Sequence, residues 1–116
     1  METLHETPNL HEFNVREEIL PFIQDGSKKL EIRTASGRFL HVKEGDSIRF
    51  NGLGNCVKLV PQIDRFANFA DLLTICDPND VMPGMPPHTI LTLLRTLYPP
   101  EREALGVLAF HLKTVD

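Results

Sequence analysis

The spacing of hydrophobic positions changes along the chain and divides it into a helical start, a strand-rich middle and a mostly helical end. From Asn14, a possible helix cap, apolar residues recur at helical spacing up to Ile23, with Pro21 as a kink, and Gly26 supplies a stop. Residues 29–65 instead hold short apolar runs separated by clusters of Gly, Asn and Asp, which is typical of strands joined by tight turns. We therefore predict a helix at 14–25 and strands at 29–34, 39–42, 47–50 and 56–65.

Helical spacing returns after residue 65. Asn68 is a candidate cap for a short helix at 66–73, residues 77–87 form a proline-rich loop, and Pro87 begins a longer helix with an apolar stripe. One more helical turn at 100–103 precedes a last strand at 106–115 that is apolar on both faces. Short strands between tight turns favour an α+β fold: a small β-barrel with three or four short helices packed around it. Residues 1–10 are predicted to be a flexible leader to a single domain at 11–116.

Composition limits the class of protein. The chain has 116 residues, of which 41% are hydrophobic and 24% charged, enough for one core and one domain. No apolar run approaches the roughly 18 to 20 residues of a membrane span, and the polar, acidic amino terminus does not resemble a signal peptide, so we expect a cytoplasmic protein. Cys56 and Cys76 lack CxxC spacing, and His41, His88 and His111 lack ligand spacing, so we expect free thiols, no metal and no cofactor. The sequence leaves the oligomeric state open.

The charge is unevenly distributed. The net charge is −4, but residues 28–65 hold eight basic and four acidic side chains, a local balance of +4 that leaves −8 for the remainder. A polyanion such as RNA is attracted by a locally positive face, because charges act within a Debye length of about 8 to 10 Å. The alternative is that these residues form ordinary solvated strand faces.

The segment 26–33, GSKKLEIR, places charged residues beside a glycine turn. Lys28 lies at the turn; if Leu30 and Ile32 point into a core, alternation directs Glu31 and Arg33 outward together with Lys29. A basic and acidic set of this kind is a candidate site. Its ordinary alternatives are a solvated lysine and a surface ion pair between Glu31 and Arg33.

Several blocks of the chain together resemble the ASCH domain family, small barrels of the PUA-like class associated with RNA. GSKKLEIR fits the GxKxxExR signature of that family, and VKEGDSIRF at 42–50 is similar to its xGDxIxF turn and strand. Residues 66–73, 81–84 and 98–110 are similar to its short helix, its loop and its closing helix and strand. The resemblance covers roughly residues 11 to 113 and implies a β-barrel with a cleft lined by the signature residues.

The resemblance also implies a possible chemistry. In family members that hydrolyse N4-acetylcytidine, the signature lysine acts with a threonine three residues later and a glutamate from a later loop. Lys28 matches that lysine, but Glu31 stands at the threonine position, and Asp77 or Asp80 lies in about the right loop for the later acid. Other relatives resemble RNA-binding modules or are associated with RNA cleavage.

Two functions of different classes follow. The first is binding of RNA, or of a nucleotide or nucleobase, in a cleft formed by Lys28, Glu31, Arg33 and the 77–87 loop, with His11 and Tyr98 as further candidates. The second is an amidohydrolase acting on an acylated nucleoside, with Lys28 as catalytic base and Glu31 or a loop aspartate as its partner. His11 is alternatively a solvated or capping histidine, and Tyr98 a packing residue. Ribonuclease activity is less well supported, because the chain has no pair of histidines at a credible spacing. A module that binds only proteins is the third alternative.

Overall fold

Seven strands form two separate sheets in the computed structural model, which describes residues 8–115. The strands are β1 (Leu10–Phe13), β2 (Leu30–Thr34), β3 (Ser47–Phe50), β4 (Val57–Leu59), β5 (Ile63–Phe66), β6 (Val107–His111) and β7 (Lys113–Thr114). The helices are α1 (Leu20–Gln24), α2 (Phe69–Ile75), α3 (Pro78–Val81), α4 (Pro87–Leu97) and α5 (Pro100–Glu103), with 3-10 turns at Glu17–Ile19 and Gly37–His41. The fold is therefore α+β, as the sequence predicts.

The order of strands explains how the sheets are built. The four-stranded sheet has the order β1-β3-β4-β7, in which β1 runs parallel to β3 and the other pairs are antiparallel. The three-stranded sheet has the order β2-β6-β5 and is antiparallel throughout. Between residues 8 and 115 these pairings do not close the two sheets into the predicted barrel, and β2 is left as an edge strand.

The three-stranded sheet lies between two hydrophobic cores. Leu108 and Phe110 of β6 pack on one side against residues of the four-stranded sheet such as Phe13, Ile48 and Phe50. On the other side, alternate residues of β2 and β6 pack against α2 and α4: Leu30, Ile32, Val107 and Ala109 against Phe69, Leu72, Ile90 and Leu94. Both faces of this sheet are thus buried, and its free edge at β2 is where a cleft can open.

The helix boundaries follow from local chemistry. The Asn68 side chain accepts a hydrogen bond from the Asp71 main-chain N–H at 2.8 Å and so caps α2 as predicted. Pro87 lies in the first turn of α4, where its missing N–H costs no hydrogen bond. Gly26 ends the first helical segment with a φ of 84°, a conformation that glycine adopts without strain. None of the helices within residues 8–115 has the length and apolar character needed to cross a membrane.

Several local predictions differ from the structure. The last strand, predicted at 106–115, is divided into β6 and β7, which belong to different sheets, and Phe66, predicted to begin a helix, is the last residue of β5. The predicted strand at 39–42 is largely a 3-10 turn, and the predicted strand at 56–65 is two strands separated around Pro61, which cannot donate to a ladder. The helix predicted from Asn14 begins three residues later as a 3-10 turn and continues as α1, with Pro21 in its first turn. The proline-rich loop contains one short helix, α3.

The leader predicted at residues 1–10 overlaps the first strand by one residue. Residues 1–7 lie outside the described residues, whereas Leu10 is the first residue of β1. That short strand is stabilised by parallel pairing with β3, from Leu10 with Ser47 to Phe13 with Phe50. A partner so distant in sequence is not visible in local periodicity.

Candidate functional site

A cavity of about 480 Å³ opens beside β2 and brings together most of the residues singled out from the sequence. We call it the edge cavity. Its polar lining includes Lys28, Glu31, Arg33 and Tyr98, and its walls come from the segment before α1, the end of α3 and the inward side of α4. The lining residues are Asn14, Val15, Arg16, Ile19, Lys28, Glu31, Ile32, Arg33, Val81, Met82, Ile90, Leu93, Leu94, Leu97 and Tyr98.

Lys28 is buried, with 5% of its surface exposed. Its Nζ donates hydrogen bonds of 2.6 Å to the main-chain oxygens of Leu30 and Val81, and lies 3.3 Å from Glu31 Oε1. Burial lowers the pKa of Lys28, and the negative charge of Glu31 opposes this shift. Because an ammonium has three protons, these three acceptors match its full donor capacity. Lys28 thereby ties the loop at Val81 to the start of β2.

Glu31 and Arg33 form a second part of the same cluster. Glu31 Oε2 accepts from Arg33 Nε at 2.8 Å and lies 2.6 Å from Arg33 Nη2, while Nη2 also donates to the Asn14 main-chain oxygen at 3.0 Å. The guanidinium lies over the rings of Phe13 and Phe39, 4.7 and 5.2 Å from their centroids. Arg33 is therefore fixed by both its hydrogen bonds and its ring contacts.

The direction in which Glu31 and Arg33 point differs from the prediction. Both were expected to point away from the core, but they share the β2 face on which their register partners Phe110 and Leu108 lie, and that face is covered by the four-stranded sheet. Both residues are buried. The pattern of one strand cannot reveal a second sheet packed against its polar face. Lys29, in contrast, is exposed.

Tyr98, immediately after α4, completes the polar set. Its ring packs against Phe69 with a centroid distance of 5.8 Å, so it also has the packing role that was the alternative in the sequence. Burial raises the pKa of the Tyr98 phenol, and the positive charge of Arg33 acts in the opposite direction. The hydroxyl group is thus a neutral donor and acceptor in the neutral pH range.

The remaining candidates lie elsewhere. His11 contacts Asp46 through Nε2 at 2.8 Å and does not line the edge cavity. Asp77 caps α3 by accepting from the Asn79 N–H at 2.9 Å, and Asp80 accepts the Lys29 N–H through its main-chain oxygen at 2.9 Å. Neither aspartate is among the residues that line the cavity. The loop that carries them does contribute Val81 and Met82, in line with its predicted position beside the cleft.

Two residues that line the edge cavity, Asn14 and Val15, were not predicted as site residues. Asn14 and Val15 were assigned to a helix start, whereas Asn14 offers its main-chain oxygen to Arg33 and Val15 is held by the side chain of Asn51. The asparagine-glycine turn at 51 and 52 was the only available signal, because asparagine side chains commonly bond to the main chain.

The basic side chains of the 28–65 stretch are not all free at the surface, since Lys28, Arg33 and Lys58 are buried. Arg49 pairs with Glu12, Lys58 donates to Thr114 Oγ1 at 3.0 Å, and Arg65 donates to the Leu105 oxygen at 2.9 Å. Cys56 and Cys76 are free thiols, and burial raises the pKa of both. Among residues 8–115, no three His, Cys, Asp or Glu side chains are grouped so that they could hold a metal ion.

Solved structures show where this fold occurs. No family model and no curated protein matches the chain. Hypothetical protein PH0355 is 28% identical over 92% of this chain and 99% of its own, with a TM-score of 0.84. Protein PF0455 from Pyrococcus furiosus is 28% identical over 92% of this chain and 98% of its own, with a TM-score of 0.79. A mutant of ZmASCH from Zymomonas mobilis is 12% identical over 90% of this chain and 68% of its own, with a TM-score of 0.66.

Proposed function

We propose that this chain, whose fold is ASCH-like, binds a nucleobase or nucleoside, either free or as an unpaired base of RNA, in the edge cavity. One observation carries the proposal: the three signature side chains and Tyr98 meet in a cavity of about 480 Å³ that is otherwise lined mainly by apolar side chains. That volume lies within the range of about 300 to 1,000 Å³ typical of small-ligand sites. The cluster of one carboxylate and two cations carries a formal charge of +1, which favours a ligand with carbonyl or phosphate oxygens.

The lining groups match the chemistry of a base. The faces of a base are apolar and polarisable, and Leu94, Leu97 and Val81 supply apolar contact. The edges of a base carry hydrogen-bond donors and acceptors, for which the Arg33 guanidinium, the Glu31 carboxylate and the Tyr98 hydroxyl are suitable partners. These polar groups fix the orientation of the base, and its burial against the apolar wall supplies most of the affinity.

The distribution of charge favours one base over a long strand of RNA. Arg49 is paired with Glu12, Lys58 is buried, and the chain carries a net charge of −4. A protein that neutralises many phosphates has an affinity that falls steeply with salt. We expect weak salt dependence here, because most of the binding energy comes from the cavity.

A titration tests this function. We would follow the heteronuclear NMR spectrum of the labelled protein while adding each of the four common nucleosides, N4-acetylcytidine or a short single-stranded RNA, at two salt concentrations. The expected result is saturable shifts at edge-cavity residues, with at most a few-fold salt dependence. If every one of these ligands leaves the cavity resonances unchanged at low salt, the proposal is wrong.

One observation favours a second candidate, the amidohydrolase acting on an acylated nucleoside. Burial lowers the pKa of Lys28 inside the edge cavity, which brings this group closer to the range of a general base. To act as a base, Lys28 must first lose a proton, and Glu31 Oε1 at 3.3 Å is the nearest acidic acceptor. The hydrogen bonds from Nζ to Leu30 and Val81 favour the charged form, so binding remains the first proposal.

Hydrolysis of N4-acetylcytidine separates the two candidates. An enzyme that uses Lys28 as its base releases acetate and cytidine, and Lys28→Met abolishes turnover at a pH where the variant is folded. Turnover that is unchanged by Lys28→Met contradicts this assignment. Tight binding without release of acetate supports the binding function.

A further inference from the structure

The edge cavity runs along the free edge of β2. Glu31, Ile32 and Arg33 are consecutive residues of this strand, and all three line the cavity. Consecutive side chains of a strand lie on opposite faces of the sheet, and only the edge is common to both faces. The position of the cavity therefore follows from the unpaired side of β2, which has no neighbouring strand there within residues 8–115.

The ladder with β6 determines which main-chain groups point to that edge. The hydrogen bonds from Ala35 N to Gly106 O, 2.8 Å, and from Leu112 N to Lys29 O, 2.9 Å, mark the hydrogen-bonded pairs at the two ends of the ladder. Since such pairs alternate along antiparallel strands, the main-chain N–H and C=O groups of Glu31 and Arg33 point toward β6. The main-chain groups of Leu30, Ile32 and Thr34 consequently point away from β6.

Two of these three residues already have their carbonyl oxygens occupied. Lys28 Nζ donates to the Leu30 oxygen at 2.6 Å, and the Ser36 N–H donates to the Thr34 oxygen at 2.9 Å. No hydrogen bond from the described part of the chain reaches the main-chain N–H or C=O of Ile32. Ile32 thus presents one donor and one acceptor, side by side, where the strand edge borders the cavity.

We infer that the main chain of Ile32 pairs with the hydrogen-bonding edge of the bound base, as one residue of a neighbouring strand would. The inference rests on the proposed function and specifies how the ligand is held. The ligand class is a planar group with an adjacent donor and acceptor, such as the N3–H and O4 of uracil or the N4–H and N3 of cytosine. Glu31 and Arg33 flank this point from one face of β2 and give preference between bases.

The same observations argue against an extended peptide as the occupant. A peptide that adds a strand to a sheet needs the main-chain groups of every second residue along the edge. Here the oxygens on both sides of Ile32 are taken by Lys28 and Ser36. Among Leu30, Ile32 and Thr34, only Ile32 therefore has both its N–H and its oxygen free, which suits a base better than a strand.

Blocked nucleosides test the inference directly. We would titrate the labelled protein with uridine and 3-methyluridine, and with cytidine and N4,N4-dimethylcytidine, and follow the Ile32 amide proton. The expected result is a downfield shift of the Ile32 amide with the parent nucleosides and at least tenfold weaker binding of the methylated ones. The Ala109 amide, which bonds to β5 on the far side of β6, is the internal control.

A matched pair of variants gives an independent measurement. Ile32→Pro removes the N–H at an edge position where proline is tolerated in sheets, whereas Ile32→Val keeps the main chain intact. We expect Ile32→Pro to bind nucleosides at least tenfold more weakly than Ile32→Val, because only the proline variant lacks the N–H. If Ile32→Pro does not fold, the comparison of parent and methylated nucleosides tests the inference alone.

The possible failures can be told apart. Nucleoside binding with an unshifted Ile32 amide and equal affinity for the methylated analogues overturns this inference and leaves the proposed function in place. If no nucleoside moves any cavity resonance, the proposed function is wrong and the inference falls with it.

Discussion

Arg33 and Glu31, two residues apart on β2, are joined through a single carboxylate oxygen: Glu31 Oε2 lies 2.8 Å from Arg33 Nε and 2.6 Å from Arg33 Nη2. The other oxygen lies 3.3 Å from Lys28 Nζ. One buried carboxylate therefore balances two buried cations. Removing one partner of a buried ion pair leaves a charge without compensation, which is far more costly than losing a surface pair.

Glu31→Gln is expected to lower the free energy of unfolding by about 3 kcal/mol, because it leaves Lys28 and Arg33 without their shared counter-charge. Urea denaturation at pH 7 measures the effect. Glu17→Gln is the control, since Glu17 is exposed and should change stability by less than about 0.5 kcal/mol. A Glu31→Gln protein as stable as the control would show that the carboxylate does not balance the cations.

Arg33→Lys keeps the charge but removes the planar fork that contacts Glu31 and Asn14 and stacks on Phe13. We expect it to weaken nucleoside binding about tenfold, the equivalent of about 1.4 kcal/mol, as measured by calorimetry. Arg38→Lys is the matched control, because Arg38 lies over the same Phe13 and Phe39 rings but does not line the edge cavity. Equal losses in the two variants would argue that Arg33 acts only through ring packing.

Tyr98 offers a spectroscopic measurement of the site, because it is the only tyrosine and the chain has no tryptophan. Burial raises the pKa of its phenol, so we expect ionisation with a midpoint above the ordinary value of about 10. Absorbance at 295 nm during a pH titration records this midpoint, and Tyr98→Phe removes the signal. A midpoint at or below the ordinary value would mean that the phenol is open to water and that the cavity is not as enclosed as described.

The sequence predicts those features of the fold that depend on local chemistry. The cap at Asn68, the start of α4 at Pro87 and the stop at Gly26 each depend on one residue and its immediate neighbours, and all three are confirmed. The ASCH-like fold is also confirmed, by the similarity to the ZmASCH structures. It could be predicted because the signature blocks record an order of elements that local periodicity does not contain. Lys28, Glu31, Arg33 and Tyr98 meet in one cavity, while their role in function stays a prediction.

Features that depend on distant partners could not be predicted. β1 is a four-residue strand whose partner β3 lies 37 residues later, so its own pattern gave no signal. The inward direction of Glu31 and Arg33 depends on the four-stranded sheet that covers their face. Likewise, the free main-chain groups of Ile32 follow from the register of β2 with β6, which no side-chain pattern encodes.

Asp46, the partner of the candidate residue His11, contributes to stability and does not line the edge cavity. Its carboxylate accepts from the Asn9 N–H at 3.0 Å, the Lys43 N–H at 2.9 Å and His11 Nε2 at 2.8 Å. Burial opposes ionisation, but these hydrogen bonds prevail and lower the pKa of Asp46. Because the folded pKa is below the unfolded value of about 3.9, the stabilisation is complete above that value and is lost as the pH falls through the folded pKa.

Asp46→Asn is therefore expected to lower the free energy of unfolding at pH 7 by about 1 to 3 kcal/mol and to flatten the loss of stability below pH 4. Urea denaturation between pH 3 and pH 7 measures both effects, with the exposed Asp71→Asn as control. Nucleoside affinity should be unchanged, because neither Asp46 nor His11 lines the edge cavity. A clear loss of affinity in Asp46→Asn would instead connect the pair to the site, as the sequence suggested for His11.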